Sequence, residues 1–92
     1  MGTSQGAVRD VRYPGLTRFL LQRPPSEDRV ALSLLTVQAL LEEQLPLDAF
    51  LPSWWQNDPY YPHCRSWLAA GWEVEEVNPG RGVGFVRVGD PQ

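Results

Sequence analysis

The 92-residue sequence contains no lysine, and all eight of its cationic side chains are arginine. That absence removes several chemistries together. A P-loop needs a lysine to reach the phosphates. A Schiff-base enzyme needs a lysine amine, and PD-(D/E)xK nucleases in their usual form carry one as well. Cys64 is the single cysteine, so no internal disulfide can form. No long apolar run and no signal-peptide pattern occur, which predicts a soluble, cytoplasmic protein without a membrane-spanning helix. The net charge is −3 and the pI about 4.9, so no global positive field draws the chain to nucleic acid.

What is present is aromatic bulk. Four Trp, three Phe and three Tyr supply the large side chains for one small core. Residues 1–12 are polar and aperiodic and read as a flexible arm. A single domain is expected over residues 13–88, followed by a loose tail at 89–92.

Pro14 suits the first turn of a helix, and Leu16, Phe19 and Leu20 follow on one helical face. That helix should stop before Pro24-Pro25. The stretch R-V-A-L-S at 29–33 alternates and predicts a short strand. Ser33 then caps a second helix carrying Leu34, Val37, Leu40 and Leu41 on one stripe, ending near Glu43-Gln44. Leu45-Pro46 turns the chain, and Leu47 to Leu51 suit one more helical turn.

Asn57-Asp58-Pro59 is a turn signal, and Pro62 opens another helix with Cys64, Trp67 and Leu68 on one face. Gly71 fits a left-handed cap. Two strands, Trp72 to Val77 and Val83 to Val88, flank the loop N-P-G-R-G as a hairpin. The apolar parity shifts between Val74 and Val77, which predicts a bulge. Helix, strand, helix, turn, helix and hairpin make an α+β fold of three to four short helices. The plan is winged-helix-like, with the strand near residue 30 available as a third strand.

Tyr13 with Leu16, Leu45-Pro46 with Ala49, Trp54-Trp55 with Asn57, His63, Trp67-Leu68, Ala70-Gly71-Trp72, Val74, Phe85 and Arg87 form a pattern. It resembles a family of small bacterial domains of uncharacterised function. The family pattern runs from a Y-D-P-L helix through T-F-x-x-I-E-x-I-L, L-P-x-S-A-R, W-W-x-N and W-L-x-A-G-W-x-V to a hairpin ending F-x-R. The resemblance covers about residues 13 to 88. It departs at L-P-L-D-A-F, where Asp48 stands for the serine and Phe50 for the arginine. This segment follows the turn of the helix-turn-helix, where a reading helix would begin. The resemblance points to nucleic-acid binding in the family; an acid and an aromatic here imply a lost or changed contact, with Phe50 free to face a protein.

No set of acid, base and nucleophile emerges. His63 and Cys64 are neighbours on a helix and diverge, so a Cys–His dyad is not formed by them. Cys64 reads as a small core residue and His63 as a polar residue at the helix start. His63 with Asp58 supplies two metal ligands where four are usual. Glu73 and Glu75 decorate one strand face and read as solvated acids. G-R-G-V-G at 80–84 lacks the strand-to-helix setting of a dinucleotide loop and reads as a wing tip carrying Arg81.

The adjacent Trp54 and Trp55 point in different directions, so one anchors the core against Trp67 and the other is left partly exposed. Asn57 either caps the following turn or presents its amide to a base. The leading expectation is a non-enzymatic recognition module without cofactor or metal. It would bind nucleic acid, or act as a regulatory domain, through Arg18, Arg65, Arg81, Arg87 and Asn57. The alternative is a protein-interaction subunit of a mobile-element or phage-defence assembly. That reading uses Phe50, Trp54, Trp55, Tyr60 and Tyr61. The oligomeric state is not set by the sequence.

Overall fold

The computed structural model describes residues 11–78 and 80–89. Most of the expected arm, residues 1–10, and the tail from residue 90 lie outside these described residues. Among the described residues the chain forms three α-helices and a three-stranded antiparallel sheet, an α+β arrangement. In chain order the elements are α1 (Pro14–Leu21), β1 (Arg29–Ser33), α2 (Leu34–Leu41), two 3-10 turns (Leu47–Phe50 and Pro52–Trp55), α3 (Pro62–Leu68), β2 (Trp72–Asn78) and β3 (Gly82–Arg87).

Helix α1 starts at Pro14, whose missing N–H costs nothing in the first turn. It buries Leu16, Thr17 and Leu20. The buried Thr17 hydroxyl donates to the Ser66 carbonyl at 2.7 Å, and the Ser66 hydroxyl accepts from the Tyr13 N–H at 2.9 Å. Two buried polar side chains thereby stitch α1 to α3. On its other flank α1 meets α2 so closely that a Cβ added at Gly15 would stand 2.1 Å from the Leu40 carbonyl oxygen. Any larger residue there would force the helices apart.

Strand β1 runs into α2 without a loop. Ser33 ends the strand and caps the helix, its hydroxyl accepting from the Thr36 N–H at 3.1 Å. The helix stops two to three residues earlier than the sequence pattern implies, at Leu41, because Glu42 takes a left-handed conformation with φ 62°.

The sheet order is β1-β3-β2, so the last strand lies in the middle. The predicted bulge falls between Val74 and Glu76, where β2 slips relative to β3. Gly71, with φ 85°, takes the left-handed position expected of it. The third strand expected near residue 30 pairs with β3 from Arg29↔Val86 to Ser33↔Gly82.

One sheet face meets the helices. Leu16, Leu20, Val37, Trp55, Trp67, Trp72, Val83 and Phe85 are almost wholly buried in a single core. Removing a ring such as Trp67 from a core like this costs about 3–5 kcal/mol, a large share of the stability of so small a domain.

Candidate recognition surface

The segment S-W-W-Q-N closes the core and lines a shallow surface groove. The second 3-10 turn directs Trp55 inward, 3% exposed, where it stacks on Trp67 at 5.5 Å. Its indole N–H donates to the Ala49 carbonyl at 2.8 Å. Trp54 stays half-buried, edge-on to Trp55 at 4.7 Å. The division of labour between the two adjacent tryptophans thus follows the sequence expectation.

The outer face of Trp54 is not bare. The His63 ring stacks on it at 4.2 Å and 15°. His63 Nε2 lies 2.7 Å from the Trp54 carbonyl oxygen, which can only accept, so Nε2 carries the proton. Burial lowers the His63 pKa below the ordinary 6.5, with the Trp54 carbonyl pulling the other way. Cys64, beside it, is fully buried with its Sγ 3.5 Å from His63 Nε2, so the two side chains converge where divergence was expected. Nε2 holds its proton toward Trp54 and offers the thiol no base, and burial pushes the thiol pKa up. This is the environment of an inert core thiol.

Asn57 does not cap its own turn; the residue is exposed, but its amide is turned onto β2 and α3. Its Oδ1 accepts from the Trp67 indole at 3.0 Å and from the Val74 N–H at 2.9 Å. Its Nδ2 donates to the Val74 carbonyl at 3.1 Å. The amide copies a peptide group and pairs with the outer edge of β2. The tryptophan N–H groups, each wanting an acceptor, were the signal in the sequence that points to this role.

The arginines are largely engaged within the chain. Arg87 Nη2 donates to the Pro24 and Glu27 carbonyls at 2.9 and 3.0 Å, and the guanidinium lies 4.6 Å over the Trp72 ring. Arg65 Nη1 donates to the Pro59 carbonyl at 2.7 Å. Arg12 forms a two-pronged pair with Glu43, Arg23 pairs with Glu27, and Arg29 with Glu75. Arg18 on α1 and Arg81 on the hairpin are exposed, and their side chains make no ion pair or hydrogen bond among the described residues. The residues expected to contact nucleic acid are therefore spread over α1, the loop before α3, α3, the hairpin and β3.

The expected aromatic contacts converge better. A shallow groove of about 340 Å³ is lined by Asp48, Leu51, Ser53, Trp54, Gln56, Tyr61 and His63. A 3-10 turn repeats every three residues, so Leu47 and Phe50 share one side, and Leu51 follows in extended backbone. Leu47 is 86% exposed, Leu51 54% and Phe50 47%. Tyr60 and Tyr61 sit edge to face at 5.2 Å on the far side. Asp48, Leu47, Leu51 and His63 belong to this surface although sequence reasoning did not place them there. Trp55, by contrast, supports the surface from beneath.

Among the described residues, no three His, Cys, Asp or Glu side chains gather as a metal-binding set, and no helix is long and apolar enough to cross a membrane. No curated protein and no solved structure matches the chain. A family model, described as a domain of unknown function (DUF7662), matches residues 13–89. The match takes in α1 through β3 and all of the surface just described, and the chain belongs to that family.

Proposed function

We propose that the domain is a winged-helix-like recognition module that works without catalysis and binds a protein partner through residues 47–61. The element order and the β1-β3-β2 sheet support the winged-helix plan, with β2 and β3 as the wing. Residues 47–50, where the sequence pattern placed the start of a reading helix, form only a 3-10 turn, so in that plan α3 would be the reading helix. Here Cys64, Ser66 and Trp67 of α3 are fully buried, and Arg65 is turned back onto Pro59. Such a helix has few side chains left for a DNA groove.

One observation carries the protein-binding reading. Leu47, Phe50 and Leu51 are exposed on a short turn whose Ala49 is buried and pinned by the Trp55 indole. Apolar side chains held out on a rigid support beside a groove are the usual makings of a protein interface. The net charge of −3 disfavours a phosphate backbone as the alternative.

The test is affinity purification of the wild-type chain and of a variant carrying Leu47→Ser, Phe50→Ser and Leu51→Ser. Co-purifying chains are identified by mass spectrometry. A partner retained by the wild type and lost from the equally stable variant is the expected result. Duplex DNA binding that weakens steeply with salt and is unaffected by the three substitutions would overturn the reading.

A further inference from the structure

We propose that the outer edge of β1 is a second binding site, which accepts an extended, basic segment of a partner protein as a fourth strand. The sheet has two edges, and they are treated differently. At the β2 edge, the Val88 N–H donates to the Gly71 carbonyl, which fixes the parity of that ladder. Bonded pairs recur every second residue, so Val74 turns its N–H and C=O outward. The Asn57 amide takes both. That edge is closed at Val74.

At the β1 edge, the Arg87 N–H donates to the Asp28 carbonyl and the Leu34 N–H to the Arg81 carbonyl, each at 2.8 Å. By the same parity Val30 and Leu32 face β3, while Arg29, Ala31 and Ser33 direct their N–H groups away from it. No group among the described residues bonds to those three N–H groups. Ala31 and Ser33 are exposed and small, so nothing bulky obstructs a further strand. Unpaired edge groups are a template for β-addition.

The outer sheet face says what the strand should carry. A residue placed opposite Ala31 would share its face and stand in the row Ala31, Gly84, Glu76. The small side chains leave a hollow of about 210 Å³ there, with Arg29, Glu75 and Glu76 on its walls. Arg29 already crosses this face to reach Glu75 at 2.9 Å, and Glu76 has no ion-pair partner among the described residues. With Glu73 one row away, three carboxylates face one guanidinium. An arginine or lysine of the added strand would lie in the hollow and direct its charge at Glu76. Main-chain bonds supply affinity and the hollow selects the side chain.

The probe is a capped five-residue peptide alternating valine and arginine, titrated into the isotope-labelled full chain and followed by amide NMR. The expected result is shifts and slowed exchange at Arg29, Ala31 and Ser33, with an alternating valine–glutamate peptide giving none. Ala31→Pro removes one outward N–H and should abolish binding. Gly84→Val tests the hollow without touching the edge; its added Cβ would meet only the Glu76 side chain and backbone, at 3.7 and 3.9 Å. It should weaken binding about tenfold, as loss of one good side-chain contact does. Equal binding of the acidic peptide, or shifts confined to residues 47–61, would overturn the proposal. So would concentration-dependent shifts at β1 without peptide, which would assign the edge to a second copy of the chain.

Discussion

After α2 the chain carries two stretches rich in apolar residues, L-D-A-F-L at 47–51 and the aromatic-rich run from Trp54 to Trp67, which ends within α3. In the first, Ala49 alone is buried. In the second, Trp55, Cys64 and Trp67 are buried, and the polar atoms around them are paired through Asn57 and Ala49. Hydrophobicity alone does not separate them. The second stretch contains indoles, and the N–H groups of Trp55 and Trp67 find acceptors at Ala49 and Asn57, whereas the buried Trp72 N–H just beyond has none among the described residues. The first is wound as a single 3-10 turn, which can offer one side to the core and must leave the others outside. Local geometry and hydrogen-bond supply decide which apolar residues go in.

The most forceful way to break this contrast is Asn57→Ala. It leaves the Trp67 indole and both Val74 backbone groups without partners and should cost about 3–4 kcal/mol in urea unfolding. A loss below about 1 kcal/mol would mean that the amide does not organise the buried stretch. Trp55→Phe comes next, because Trp55 joins the two stretches. Losing the bond to Ala49 and part of the ring should cost about 2 kcal/mol. Amide exchange over residues 47–51 should quicken in the same variant.

Acidification sharpens the contrast from the buried side. His63 holds its proton less tightly in the fold than the ordinary 6.5, so the unfolded chain binds more protons just below that pH. The stability this contributes is whole above pH 6.5 and is lost as pH falls through the folded value. Thermal melts should drop across that window, and His63→Gln should flatten that part of the profile. The smallest effect is expected on the exposed side, where Leu47→Ser or Phe50→Ser should change stability by no more than about 0.5 kcal/mol. A larger loss would show that these side chains pack in the free domain.

Local signals made much of the fold legible. Pro14, Ser33, Gly71 and the parity shift after Val74 each marked an element boundary or bulge where the structure has one. Each of these acts through its own backbone or its nearest neighbours. The site was less legible because its decisive contacts are distant in sequence. Arg87 binds carbonyls about sixty residues upstream, which no local pattern marks as a destination. Asn57 was picked out by its place beside the double tryptophan, yet its partners at Trp67 and Val74 appear only after the chain folds back. Asp48 and His63 meet in one groove because two separate turns bring them there.

The central place of β3 bears on how the protein is made. β1 and β2 have no ladder with each other, so a ribosome that has released everything up to residue 81 has released two strands with nothing to join them. The nascent chain must keep its tryptophans out of trouble until β3 has emerged. Its folding is therefore expected to wait for β3 and then be nearly all-at-once, and a chain cut before β3 would be a sticky polypeptide in place of a shortened domain.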